Sequence, residues 1–403
     1  METHTFRAVG YPLRLHAGDN ALGQLESEVK RQKASRAFVI CGQSIAHKTN
    51  MLDRIKTALG PLYAGAFDGM DKDSSWPAVK KSVDAARAAD ADLLIAVGGG
   101  SVIVGTRVVA ILLGEDGDPF DLMTQYPEGK PAYSPRLMAA KPPIINIATT
   151  PTTAMNRAGS GLKNEDLDHR MEYFDPKTRP VALFWDSEAL LTAPRELIRS
   201  TASTMYSSTL RALGAAASPL VEGDIGHAFQ LLRRSMPRIM NEPDNAALRV
   251  DLCSAAFLVN RAADDDQGRR RARDQTGANA YALSTALHIR YDHVWQGEST
   301  STIIPTVTRL VPPDDLESAR RVATAIGVWE DGMDIQAAAV ATGDAMDEAY
   351  TSVGMPTRLR QLDIPKAEFS LLANDTLKNF NANPGDRADD YTEQMLALLE
   401  AAW

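Results

Sequence analysis

The stretch LLIAVGGGSVIVGTRVVAILL, Leu93–Leu113, decides how the chain is read. Five apolar residues run into Gly98, Gly99, Gly100 and Ser101, and an apolar helical pattern follows. A buried strand that breaks on glycines and restarts as a helix brings backbone N–H groups close to whatever lies above it. The first turn of such a helix has unpaired donors and the positive end of the helix dipole, so it suits a phosphate. The motif is not the GxGxxG fingerprint, and a tight strand-to-helix turn with no ligand has the same sequence.

Outward from this turn the same alternation repeats. RAFVICG (36–42), LYAGAF (62–67), PIINIATT (143–150) and PVALFWD (180–186) read as further buried strands. MLDRIKTALG (51–60) reads as an amphipathic helix closed by Gly60, and WPAVKKSVDAARAAD (76–90) as one opened near Pro77. Strands alternating with helices predict a parallel, doubly wound sheet. After Pro194 the segments are helical and strand-poor. The expectation is therefore an α/β domain over 1–194 and an α-helical domain over 195–403. Glu115–Lys141 reads as a long loop, and ADDDQGRRRARDQTGAN (263–279) as an irregular insertion.

The 403 residues are too many for one simple core. A net charge of −9 argues against a nucleic-acid surface. Arg269, Arg270, Arg271 and Arg273 follow Asp264, Asp265 and Asp266 and read as a solvated loop. Cys41 and Cys253 cannot make a disulfide framework, so a reducing cytoplasm is expected. METHTFRAVG has no signal-peptide pattern, and no apolar run is long enough to span a bilayer.

In their order and spacing these pieces resemble the iron-containing (group III) alcohol dehydrogenase superfamily, which includes maleylacetate reductases and glycerol dehydrogenases. YPLRLHAGDNAL (11–22) is similar to its first strand and turn, and GGGS (98–101) to its pyrophosphate turn. IATTPTT (147–153) resembles its PTTxGT-type segment, and ALFWDSEALLTAP (182–194) its crossing between domains. GMPTRLRQLDIPKAEFSLLANDTLKN (354–379) resembles its C-terminal region. The resemblance implies a Rossmann-like domain followed by a helical domain, the architecture shared with dehydroquinate synthases. It implies hydride transfer with NAD or NADP, with Gly98, Gly99, Gly100, Ser101, Thr149, Thr150 and Thr153 along the cofactor. Gly42 or Gln43 stands where the family often has an acid on the adenosine ribose, and an acid there would disfavour NADP. Val104 and Arg107 stand where the family often has an acid and a basic residue. Homodimers are common in the family.

The resemblance also exposes a departure. The usual family site holds a divalent metal with one Asp and three His. The matching positions in this chain are Tyr206, Leu210, Ala282 and Gln296, none an ordinary ligand for that ion. No metal is therefore expected, and a carbonyl reduced by hydride needs another group to steady its oxygen and supply a proton. LSTALHIRYDHVWQGESTSTIIP (283–305) holds the candidates His288 and His293, with Tyr206 as a further hydroxyl donor. Gln296, Asn156 and Trp295 are candidates for contact with a small carbonyl or alcohol substrate, and Arg157 and Lys163 for an acidic group on it. Ordinary packing is the competing reading for each. Two other functions remain open: a lyase or cyclase on the same fold, and an inactive nucleotide-binding homologue.

Overall fold

The computed structural model describes residues 6–265, 275–380 and 388–403. Six strands form one parallel sheet: β1 (Arg14–Gly18), β2 (Ala37–Cys41), β3 (Tyr63–Phe67), β4 (Leu93–Gly98), β5 (Ile144–Ala148) and β8 (Ala182–Asp186). Their spatial order is β1-β8-β5-β4-β2-β3. Between β5 and β8 an antiparallel hairpin stands off the sheet, made of β6 (Gly159–Leu162) and β7 (Met171–Phe174). The expected strands are present. The hairpin is a finding: GSGL and MEYF lack the long β-branched runs by which strands are recognised.

Apolar residues at consecutive strand positions place β2, β4 and β5 at the centre of the sheet, where both faces must be covered. On one face Val39, Ile95, Val97, Ile145 and Phe184 pack under α1 (Leu25–Arg31), α2 (Gln43–Lys48) and α3 (Met51–Leu59). On the other, Phe38, Ile40, Leu94 and Ala96 pack under α4 (Trp76–Ala88) and α5 (Gly100–Gly114). That second core continues without a break into the helical part of the chain. Glu115–Lys141 is mostly irregular, with one short helix, α6 (Pro119–Leu122).

The turn after β8 is capped by Asp186. It accepts from the Ala189 N–H of α7 (Ser187–Leu191) and pairs with Arg54 at 2.9 Å. From Arg195 the described residues are helical: α8 (Arg195–Ala212), α9 (Pro219–Ser235), α10 (Ala246–Asp265), α11 (Gln275–Arg290), α12 (Gln296–Leu310), α13 (Leu316–Ile326), α14 (Ile335–Ser352), α15 (Phe369–Asp375) and α16 (Ala388–Ala402). The segment expected to be an irregular insertion is in part helix. Ala263–Asp265 close α10, and Gln275–Asn279 open α11. The run Arg269–Arg273 lies outside the described residues.

Helix α12 lies at the centre of the helical layer, against α8, α11 and α14. Gly297 permits its contact with α8. A Cβ there would sit 2.0 Å from the Ser200 carbonyl oxygen, and the Gly297 N–H donates to Ser200 Oγ at 3.0 Å. Among the described residues no helix is long and apolar enough to cross a membrane.

Candidate active site

The carboxyl ends of β4 and β5 open onto a cavity of about 810 Å3 between the sheet, the hairpin and the helical layer. This is where open parallel sheets take their ligands. The turn from β4 into α5 is tight: a Cβ on Gly98 would lie 2.6 Å from Val102 Cγ2. Gly99 and Gly100 form the cavity floor, and Cβ atoms on them would stand 3.1 Å from Thr150 Oγ1 and Thr152 Oγ1 respectively. Glycine backbone, threonine hydroxyls and the α5 N-terminus thus make a concave polar cradle. It fits the pyrophosphate of a dinucleotide.

The loop between β3 and α4 closes over this turn. Asp73 and Ser74 adopt left-handed backbone angles, with φ of 60° and 53°. The strained turn is held by Ser101: the Asp73 N–H donates to Ser101 Oγ at 3.0 Å, and Ser74 Oγ donates to the Ser101 carbonyl at 2.5 Å. Lys72 beside them crosses the cleft, donating to the Asp292 carbonyl at 2.7 Å and that of Val294 at 3.2 Å. Lys163 from the hairpin reaches the Asp292 carboxylate at 2.8 Å. These two lysines tie the α11–α12 connection to the sheet side of the cavity.

From the helical layer, α11 projects Tyr281 and His288, seven residues apart and so on nearly one face. The start of α12 supplies Trp295 and Gln296, oriented by the Trp295 N–H donating to Glu298 Oε2 at 2.9 Å. Helix α8 supplies Leu197, Ser200 and Thr201.

His288 is buried, with Nδ1 3.0 Å from the Ser284 carbonyl. That contact assigns the ring proton to Nδ1 and leaves Nε2 as the acceptor of a residue that lines the cavity. Burial first, and the positive charge of Arg170 second, push its pKa down to about 3. The imidazole is neutral at physiological pH and acts as a hydrogen-bond acceptor. A consequence is measurable without any ligand. The unfolded chain takes up this proton near pH 6.5 and the folded chain only near 3, so between those values the unfolded state binds more protons. Stability contributed by the neutral ring is complete above about pH 6.5 and falls as pH drops, by at most about 1.4 kcal/mol per unit. Thermal unfolding of His288→Gln against wild type from pH 7 down to 4 should show a shallower decline in the variant. Parallel curves would contradict a neutral buried ring.

Of the residues expected at the site, the cavity brings together Gly99, Gly100, Ser101, Thr150, Thr153, His288, Trp295 and Gln296, with Arg157 at its edge. Others lie elsewhere. Tyr206 is buried between Phe229 and Tyr350, at ring distances of 5.4 and 6.0 Å, so its hydroxyl belongs to the helical core and not to the cleft. Leu210 and Ala282 are buried too. The reason for Tyr206 is helical phase. Leu197 and Thr201 line the cavity, and Thr204 and Ser208 continue their stripe, whereas Tyr206 and Leu210 face inward. His293 is exposed, its Nε2 3.0 Å from the Leu362 carbonyl and away from the cavity wall. Asn156 is buried against Asn260, and Arg179 donates to its carbonyl at 2.9 Å. Thr149 donates its N–H to the Gly98 carbonyl at 3.0 Å and does not line the cavity, where Thr152 does. Gly98 and Gly42 do not line the cavity either; a Cβ on Gly42 would come 3.0 Å from the Met70 carbonyl. Sequence reasoning missed Lys72, Thr152, Arg170 and Tyr281. For Tyr281 the seven-residue spacing to His288 was a usable signal; for Arg170 there was none, because the hairpin that carries it was not seen.

Residues 12–187 match the family described as iron-containing alcohol dehydrogenase, and residues 213–403 match the C-terminal domain of the same family. The chain belongs to the iron-containing alcohol dehydrogenase family. It is 24% identical to the lactaldehyde reductase of Escherichia coli strain K12, over 96% of this chain and 97% of that one. It is 22% identical to the NADPH-dependent aldehyde reductase of the same organism, over 97% and 98% of the two chains. Among solved structures it resembles the NADH-dependent butanol dehydrogenase A of Thermotoga maritima, with a TM-score of 0.84 and 18% identity over 100% and 99% of the chains.

The metal in the family's name does not fit the side chains present. Among the described residues no group of three or more His, Cys, Asp or Glu converges on one point. Where α8, α11 and α12 meet the cavity they offer Ser200, Thr201, Tyr281, His288 and Gln296, a set of neutral hydroxyl, imidazole and amide groups. Divalent iron or zinc is held by imidazole and carboxylate or thiolate in number.

Proposed function

We propose that the chain transfers hydride between NAD or NADP and a small carbonyl compound or its alcohol, without the family's metal. The two parts divide near residue 195 and share the cleft. The balanced reaction is carbonyl plus NAD(P)H plus a proton, giving alcohol plus NAD(P)+. The observation that carries this reading is the glycine–threonine cradle at the α5 N-terminus, open to a cleft lined by His288, Tyr281 and Gln296. Family membership supports the redox chemistry, and the neutral donor set supports its running without a bound ion.

The bound nicotinamide supplies the hydride. The chain has to position the carbonyl, steady the charge that grows on its oxygen, and deliver a proton there. The Gln296 amide and the Tyr281 hydroxyl are the donors available for that oxygen. His288 Nε2 accepts, and so orients a donor beside it, either the Tyr281 hydroxyl or the substrate's own. Trp295 closes the wall with an apolar face. Gly42 brings no carboxylate against a ribose phosphate, and the Asp71 carboxylate is already engaged by Ser75 at 2.6 and 2.7 Å. Both NADH and NADPH are therefore the cofactors to test.

The test is a panel of aldehydes and oxo acids with NADH or NADPH, run on protein treated with a chelator and on protein given zinc or ferrous iron. We expect equal turnover in the two samples and no stoichiometric transition metal on elemental analysis. Activity that appears only on adding metal would overturn the metal-free reading. Failure to bind either cofactor would overturn the redox reading itself.

A further inference from the structure

Arg170 immediately precedes β7 and lines the cavity. Its side chain folds back over Gly161. Nη2 donates to the Gly161 carbonyl at 2.8 Å, and a Cβ on Gly161 would lie 2.9 Å from Arg170 Cζ and Nε. The missing side chain at 161 thus makes the room that the guanidinium fills. Among the described residues that carbonyl is its one hydrogen-bond partner. Nε is buried without a partner, and no carboxylate lies within ion-pairing distance. The lysines nearby differ: Lys72 donates to the Asp292 and Val294 carbonyls, and Lys163 pairs with the Asp292 carboxylate.

The charge of Arg170 reaches two walls of the cavity. It acts on the His288 ring of α11, and on the Asp73 carboxyl, whose own N–H is held by Ser101 at the start of α5. The guanidinium lies between the glycine turn and the helical layer, where hydride donor and acceptor have to meet. A carbonyl that takes up hydride moves its π pair onto oxygen, and the alkoxide needs charge or strong donors in a site shielded from water. Gln296 and Tyr281 donate but are neutral, and the neutral His288 accepts. A guanidinium stays charged at every working pH, donates in a fixed plane, and here has N–H groups to spare.

We propose that Arg170 is a catalytic residue: its guanidinium donates hydrogen bonds to the substrate oxygen and supplies the positive charge that stabilises the alkoxide. The inference rests on the metal-free oxidoreductase reading above and names the cation in it. Arg170 keeps its proton; water supplies the one that turns alkoxide into alcohol, and oxidation runs the same steps in reverse. Because the charge on oxygen develops only as hydride arrives, loss of Arg170 falls on kcat and not on cofactor affinity.

Two substitutions test this. Arg170→Gln removes the charge, whereas Gly161→Ala keeps it and pushes the guanidinium off its seat. Turnover is read on the aldehyde panel, and NADH and NADPH affinity by calorimetry. We expect Arg170→Gln to lose about a hundredfold in kcat, with cofactor affinity within about twofold of wild type. Guanidinium chloride at low, non-denaturing concentration should restore part of that loss, and methylammonium chloride at equal ionic strength should not. Gly161→Ala should lose about tenfold or more in kcat at an unchanged unfolding midpoint, since the atoms it displaces are the tip of a flexible side chain. Thermal unfolding screens both variants, and Gly161→Ala decides alone where Arg170→Gln fails to fold. Unchanged kcat in the folded variants would overturn the proposal. A loss confined to cofactor affinity would also overturn it and make Arg170 a cofactor ligand. Equal recovery with both salts would be an ionic-strength effect and count against it. Wild-type protein that binds no cofactor, or turns over only with added metal, removes the reading beneath the inference. Metal-free turnover by wild type with equal kcat in both variants removes the inference alone.

Discussion

Gly100→Asp should abolish nicotinamide binding while leaving the protein folded. Gly100 is the first residue of α5 and part of the cavity floor, and a Cβ there would stand 3.1 Å from Thr152 Oγ1. The carboxylate would occupy the helix N-terminus that the pyrophosphate needs and would repel it. Together the steric and electrostatic effects are worth about 3 kcal/mol or more, a loss of at least about a hundredfold in affinity. Stability points the other way, because an acid in the first turn of a helix is mildly favourable. The expected pair of results is therefore an unfolding midpoint equal to wild type or slightly higher, with no further rise on adding NADH or NADPH. A variant that binds either cofactor as tightly as wild type would place the cofactor away from this turn.

Gly297→Val should have the opposite signature, a large loss of stability. A Cβ at this position would lie 2.0 Å from the Ser200 carbonyl oxygen and 2.5 Å from the Ser200 carbonyl carbon and Cα. These are backbone atoms inside α8 and cannot turn aside as a side-chain tip would. The two helices must separate, the Gly297 to Ser200 hydrogen bond is lost, and the middle of the helical layer loosens with them. The cost is about 3 kcal/mol or more, at the upper end of what overpacking does. Equilibrium unfolding in urea should show the midpoint falling with a similar slope. Because Gln296 and Ser200 both line the cavity, any folded fraction should also lose substrate affinity. A midpoint within error of wild type would mean that α8 and α12 do not meet as described.

The two substitutions mark the difference between what was legible along the chain and what was not. Gly100 was visible in the sequence, because a strand, a glycine turn and a helix are consecutive and their chemistry is local. Gly297 was not. Nothing in QGEST announces that Ser200, nearly a hundred residues earlier, needs its backbone space. The same division runs through the candidate site. His288, Gln296 and Trp295 were found because they cluster on one short segment. Tyr206 was misplaced because its helix was recognised but its rotational phase was not. A shift of two residues on a helix turns a side chain by more than half a turn, from cleft to core. His293 shares the right segment but lies on the loop before α12, where Leu362 takes up its Nε2.

The sequence by itself determined the parallel α/β layer followed by helices and the glycine turn at the centre of the sheet. These follow from hydrophobic period, turn chemistry and residue identity, all of which are read within a few neighbouring residues. Only the tertiary structure decided which side chains meet. It set Arg170 beside His288 and took Tyr206 out of the cleft into the helical core. Those outcomes depend on helix phase and on contacts between segments a hundred or more residues apart, and no local pattern encodes them.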